Sequence, residues 1–231
     1  RTRNMGQLAN EIALYFGVDE EFIQKIVNRA NFYYRTVQIP KRRGGLRDIY
    51  LPSPEIKAFQ HFICEKYLSK LPISNYAIGY RKGKSIIDNV KPHIGNKSFL
   101  MLDIKEFFES ISTDIFREIL HENSRYIPSI YVEDIIKVLT YKEKFAQGCV
   151  SSPLVSNIYM FEIDLKIGEL VKELPNGVYT RYSDDITVSS SSSIDETIKQ
   201  NIVDLIKKKR LSINESKTYF TSNLNSIRIT G

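Results

Sequence analysis

Residues 178–193 read VYTRYSDDITVSSSSS, and this stretch constrains the fold more than any other. Its flanks are rich in β-branched and aromatic residues, so they predict two strands joined by a tight turn, with Asp184 and Asp185 at the tip. Adjacent carboxylates raise each other's pKa and destabilise a turn unless a cation neutralises them, and a hard divalent ion would do so. An ordinary turn in which Asp caps its own backbone gives the same residue pair, so the hairpin alone leaves both possibilities open. The five serines at 189–193 read as a solvated linker.

A second acid closes a different element. Residues 99–102 form a short unbroken apolar run, as expected of a strand buried on both faces, and the run ends abruptly in Asp103. Helical patterns follow at 114–122 and 129–139, and Pro153 opens a long one through Leu154, Ile158, Phe161, Leu165 and Leu170. After the hairpin, 194–210 is helical, and 211–213 and 219–221 are strand-like. That order predicts an α+β domain, a ferredoxin-like antiparallel sheet with helices covering one face. In such a sheet the strand ending at Asp103 can lie beside the hairpin. Three carboxylates at one edge suit two magnesium ions roughly 3.5–4 Å apart, as used in phosphoryl transfer.

Upstream, Leu8, Ile12, Tyr15 and Phe16, then Phe22, Ile23, Ile26 and Val27 after an N-cap at Asp19, predict two short amphipathic helices, a small cap. The segment FYYRTVQIPKRRGGLRDIYLP then reads as a hairpin with a basic turn at 41–45. Ser53 as N-cap and Pro54 as first helical residue open a helix with Ile56, Phe59, Ile63 and Tyr67 on one face. In FAQGCVSSP, Gly148 would let the backbone approach a flat ligand closely, and Gln147 offers a hydrogen bond to a sugar or phosphate.

The formal net charge of +6 and a pI near 9.1 favour a polyanionic partner, with nucleic acid the leading candidate. Only Cys64 and Cys149 are present, which argues against a disulfide framework and for a reducing, cytoplasmic setting. No apolar run approaches the ~20 residues needed to cross a bilayer, so no membrane partner is expected. The start at Arg1 and the stop at Gly231 suggest an excised piece.

Five segments in this order, IPKRRGGLRDIYLP, LDIKEFFESIS, QGCVSSPLVSNIYM, RYSDDITVS and LSINESKT, resemble the reverse transcriptases, and specifically the retron type of bacteria. NVKPH at 89–93 is similar to that type's Asn-Ala-x-x-His pattern, with Val90 in place of Ala, and Ile229-Thr230-Gly231 is similar to its Val-Thr-Gly, with Ile in place of Val. The resemblance implies a right-hand polymerase: a helical cap at 1–30, fingers at 31–98, and a palm at 99–231 with a helical insertion around 113–146, the thumb being absent from this chain. It implies that Asp103, Asp184, Asp185 and the carbonyl of Ile104 hold two Mg²⁺. It further implies that Phe108 excludes a 2′-hydroxyl, that Gln147 and Gly148 meet the incoming nucleotide, and that Lys41 and Arg47 bind its triphosphate. Lys217 resembles the lysine that protonates pyrophosphate. Arg42, Arg43, Arg81, Lys82, Lys84, Asn89, His93 and Thr230 are the implied RNA contacts.

By that resemblance the partners are deoxynucleoside triphosphates and a structured noncoding RNA that serves as template and primer. The product is a branched RNA–DNA molecule begun from a guanosine 2′-hydroxyl, made in anti-phage defence with an effector protein. Three other classes remain open at this point. One is a group II intron-like or other bacterial reverse transcriptase, one an RNA-binding module that kept the fold without catalysis, and one a nucleotide cyclase or nuclease on a similar palm. The last gives QGCVSSP and Phe108 no evident role.

Overall fold

The computed structural model describes residues 7–40 and 44–222. In chain order the helices are α1 (Gln7–Phe16), α2 (Glu20–Asn28), α3 (Pro54–Lys66), α4 (Ile86–Val90), α5 (Phe107–Ser110), α6 (Thr113–Glu122), α7 (Val132–Leu139), α8 (Ser152–Tyr159), α9 (Phe161–Lys172) and α10 (Glu196–Lys208). The strands are β1 (Tyr34–Pro40), β2 (Leu46–Pro52), β3 (Ser98–Asp103), β4 (Val178–Tyr182), β5 (Asp185–Ser190) and β6 (Tyr219–Thr221). No described helix is long and apolar enough to cross a membrane. The chain divides into two compact units, Arg1–Leu71 with Ile111–Val155, and Pro72–Ser110 with Ser156–Gly231. This division departs from the expected boundaries at two places. The N-terminal cap and the helical insertion belong to the unit of the basic hairpin, and residues 72–98 belong to the unit of the larger sheet.

In the first unit, Asp19 caps α2 by accepting from the Phe22 N–H, and Ser53 caps α3 by accepting from the Ile56 N–H, as their sequence positions predict. β1 and β2 pair antiparallel from Tyr34 opposite Pro52 to Pro40 opposite Leu46. Glu11 of α1 ties the cap to the rest of the unit, accepting from Lys66 Nζ at 2.7 Å, from the Tyr131 hydroxyl at 2.9 Å and from the Tyr67 hydroxyl. Gln60, wholly buried on α3, donates to the Val138 carbonyl at 3.0 Å and the Tyr34 hydroxyl at 3.1 Å, and accepts from the Val150 N–H at 3.2 Å.

The second unit is built on an antiparallel sheet of order β4-β5-β3-β6. Counting only its own strands, that order is 4-1-3-2 read from β6, the ferredoxin-like arrangement the element order predicts. Register sets Leu102 opposite Ile186 and Leu100 opposite Val188, and Arg181 and Tyr179 of β4 oppose the same two β5 residues. These six therefore share the face toward α9. The long helix expected after Pro153 is broken at Met160, whose φ of −82° and ψ of −5° separate α8 from α9.

Arg181 and Asp164 of α9 are fully enclosed and form a two-pronged pair, Nε to Oδ1 at 2.9 Å and Nη2 to Oδ2 at 2.8 Å. Tyr179 donates to the same carboxylate at 2.6 Å, and the guanidinium lies 5.8 Å from the centre of the Phe107 ring. The serine run is not wholly a linker: Ser189 and Ser190 are buried in β5. Ser189 Oγ lies 2.7 Å from His93 Nδ1 and accepts from Asn96 at 2.8 Å, while Ser190 donates to the Pro175 carbonyl. Serine at strand positions facing a polar layer is thus used for hydrogen bonding rather than exposure.

Arg181→Met leaves the Asp164 carboxylate enclosed without its partner, and should lower the unfolding free energy by about 3–5 kcal/mol, much of it recovered when Asp164→Leu is added. Urea unfolding of the single and double variants measures this. Equal losses in both would show that the ion pair is not the source.

Candidate active site

The acids meet through strand register. Asp103, the last residue of β3, pairs with Asp185, the first of β5, so the two side chains leave the same face of the sheet at neighbouring backbone positions. Asp184 lies in the two-residue turn before it, and its carbonyl accepts from the Ile104 N–H at 2.9 Å. The carbonyl of Ile104 receives no backbone N–H among the described residues, so it stands open on the Asp184 side. Asp185 therefore opens the strand instead of sharing the hairpin tip, which consists of Ser183 and Asp184.

Charge is concentrated here against solvation. Burial, reinforced by the charges of Asp184 and Asp103, pushes the Asp185 carboxyl up to about 6, with Lys217 opposing. Asp184 shifts upward as well, by burial first and with Asp103's charge adding. Lys217 is the counter-charge: residues 212–214 run beside 103–105, and Nζ of Lys217 then reaches Asp103 Oδ2 at 2.8 Å. Among the described residues no three His, Cys, Asp or Glu side chains converge on one point as a metal-holding group. The donor set still fits a divalent cation in chemical type, being hard oxygens that repel one another.

The turn itself is held from two sides. Ser183 adopts a left-handed φ of 60°, unusual outside glycine. Its carbonyl accepts from Arg181 Nη1 at 2.9 Å, and its hydroxyl lies 3.0 Å from the Tyr80 hydroxyl, which donates to it. Asn157 completes the bracket, accepting from Arg181 Nη2 at 3.2 Å and donating to the Gly79 carbonyl at 3.0 Å. Glycine is required at 79 because a Cβ would sit 2.9 Å from the Ser183 nitrogen. Phe108, half-buried, stacks on Phe107 with ring centres 5.7 Å apart. Arg181, Asp164 and Asn157 are site-supporting residues that the sequence reading missed. Their signal was an arginine at an inward strand position and an aspartate on the apolar face of a helix.

In the first unit, Arg47 Nη1 donates to Gln147 Oε1 at 3.1 Å and the Tyr50 N–H donates to the Gln147 carbonyl at 3.3 Å, so two of the expected nucleotide ligands meet. Gly148 has a structural use as well. At φ 110° its missing Cβ would lie 2.8 Å from Ile49 Cγ2 and 2.9 Å from the Tyr50 carbonyl, so glycine here also lets the chain pack closely on β2.

The expected RNA contacts separate. Lys82 and Lys84 are exposed. Arg81 turns inward, donating to the carbonyls of Ser74 and Ala77. Asn89 and His93 are buried, which corrects their expected surface role: the His93 ring bridges Ser189 and Thr180 at 2.7 and 2.8 Å, and both amide atoms of Asn89 are enclosed without a partner among the described residues. The His93 ring is directed at the sheet, where strand hydroxyls need partners. Lys41, Arg42, Arg43 and Thr230 lie outside the described residues.

This sheet order and acid placement are those of a palm-type polymerase core, and the chain belongs to the reverse transcriptase family, described as "Reverse transcriptase (RNA-dependent DNA polymerase)", which it matches over residues 39–231. Its relatives include several retron reverse transcriptases. It is 30% identical over 241 residues to "Retron Ec86 reverse transcriptase" of Escherichia coli, covering 100% of this chain and 73% of that protein. It is 26% identical to "Retron Mx65 reverse transcriptase" of Myxococcus xanthus, covering 86% of this chain and 50% of that one. The chain thus spans between half and three quarters of these curated relatives. In fold it is similar to a telomerase of Candida Tropicalis solved in complex with a TWJ fragment of telomeric RNA, with a TM-score of 0.55 at 14% identity over 89% of this chain and 45% of that one.

Folded Asp185 keeps its proton to higher pH than the unfolded chain does, so between about 3.8 and about 6 the unfolded chain binds fewer protons and stability falls as pH rises. Asp185→Asn should flatten that fall and raise the melting temperature at neutral pH relative to wild type. Melting curves across the window test this, and superimposable pH profiles would contradict the repulsive cluster.

Proposed function

We propose that the chain catalyses RNA-templated DNA synthesis from deoxynucleoside triphosphates, as a cytoplasmic enzyme of retron type. In this reading a structured noncoding RNA supplies template and primer, a guanosine 2′-hydroxyl starts the chain, and the branched RNA–DNA product acts in anti-phage defence with an effector protein. The observation that carries the reading is the pairing of Asp103 with Asp185 across β3 and β5, with Asp184 one residue away and the carboxyls of Asp184 and Asp185 shifted upward. Support for RNA as the template comes from the family and from a fold neighbour solved with RNA.

Asp103, Asp184, Asp185 and the Ile104 carbonyl would hold Mg²⁺, which supplies activation of the attacking hydroxyl and stabilisation of the departing pyrophosphate. Lys217, freed from Asp103, has a proton to give to the pyrophosphate oxygen as it leaves. Arg47 and Gln147 provide a charged donor and an amide for phosphate and sugar. The Phe108 ring leaves room for hydrogen and not oxygen at the sugar 2′ position, since an enclosed hydroxyl without a partner is costly. The exposed Lys82 and Lys84 suit contact with RNA phosphates.

The Lys217–Asp103 pair and the lack of a three-carboxylate group among the described residues favour one competing reading, an RNA-binding module without catalysis. The two separate in one experiment. Asp184→Asn with Asp185→Asn should reduce metal-dependent primer extension to background and leave RNA affinity within about twofold, because neither acid is assigned an RNA contact. Extension by the wild type that persists in this variant would rule out the assigned metal site. A wild type that binds RNA but extends no primer in Mg²⁺ would favour the binding module. Phe108→Ala should admit ribonucleotides, measured as the ratio of kcat/KM for deoxynucleotide over ribonucleotide.

A further inference from the structure

Tyr80 stands where the two halves of the second unit's site meet. Its backbone is left-handed, φ 62°, a conformation uncommon for a bulky aromatic, so the surrounding structure holds it there. Gly79, just before it, fits against the Ser183 nitrogen and the Tyr182 ring, and Asn157 fixes the Gly79 carbonyl. The ring is half-exposed. Its centre lies 6.1 Å from that of Phe108 and 6.3 Å from that of Tyr182, within the range of favourable tilted aromatic pairs. The hydroxyl donates to Ser183 Oγ at 3.0 Å, one residue before Asp184. One side chain thus touches both the ring assigned to sugar selection and the turn that carries the acids.

We infer that Tyr80 is a positioning residue with two separable duties: its ring braces Phe108 in the orientation that rejects a 2′-hydroxyl, and its hydroxyl holds the Ser183–Asp184 turn. This rests on the polymerase reading and on Phe108 as the sugar gate. A bare Phe108 has only Phe107 behind it among the described aromatic contacts, and a ring free to swing would concede space to the extra oxygen. The hydroxyl has no part in that selection. Instead it adds a second hydrogen bond to a strained residue whose carbonyl Arg181 already holds.

Single-nucleotide extension on an RNA template with an annealed primer separates the two duties, comparing deoxynucleotide with ribonucleotide for the full chain. Tyr80→Phe keeps the ring and should keep sugar selectivity within about twofold, with kcat down roughly three- to tenfold at unchanged KM. Tyr80→Asn removes the ring while suiting the left-handed backbone, and should lower selectivity roughly two- to tenfold. Tyr80→Gly serves the same purpose should the Asn variant not fold. Combining Tyr80→Asn with Phe108→Ala should reduce selectivity no further than Phe108→Ala alone, because Tyr80 acts through that ring. Unchanged selectivity in the ring-deleting variants, or losses that multiply in the combination, would overturn the inference. Unchanged selectivity in Phe108→Ala itself would overturn the gate, and a wild type unable to extend with deoxynucleotides would overturn the polymerase reading.

Discussion

Enclosing a guanidinium away from water is tolerable only when its donors are matched, and Arg181 matches them to Asp164, Asn157 and the Ser183 carbonyl. That single side chain joins three things. It fastens β4 to α9 through Asp164, it links α8 through Asn157, and it reaches around the strand end to the turn that carries Asp184. The hairpin's pairing with β3 then places Asp185 beside Asp103. A buried pair of this kind contributes little net stability over apolar residues of like volume. Its worth here is geometric, because an apolar substitute has no donor to hold the Ser183 carbonyl.

The acids pull the other way. Asp184 and Asp185 are raised by burial and then by neighbouring carboxylate charge, so the folded site is electrostatically discontented, a state that favours any cation able to enter. Lys217 relieves part of this through Asp103 while remaining half-exposed itself. An ammonium at that position offsets part of the carboxylate repulsion, and in the proposed reaction it would also be the nearby proton source.

Much of this was legible in the sequence where the signal was local. Period and capping residues placed α2 and α3 with their Asp19 and Ser53 caps, and an apolar run ending in Asp103 placed β3 and its terminal acid. What escaped was set by partners distant in the chain. Nothing near Ser189 says that a histidine at 93 will meet it, so the serines passed for a linker. Asn89 and His93 were RNA contacts only by family resemblance, and their burial was not legible because polarity alone does not distinguish a solvated residue from one enclosed. The close packing of Gly148 on β2 was not legible, because it depends on β2 folding back upon it. Nothing in the sequence marked the left-handed backbone of Tyr80 or its contacts with Phe108 and Ser183, which lie distant in the chain.

The enclosed imidazole of His93 has one more effect. Burial drives its pKa from 6.5 down to about 4, so the folded ring stays neutral while the unfolded chain takes up a proton below 6.5, and acidification through that interval favours unfolding. Asp185 works in the opposite sense over an overlapping interval, up to about 6. The sheet therefore carries a pair of compensating proton inventories, one released and one absorbed. Mild acid leaves it closer to its neutral stability than either group alone would allow.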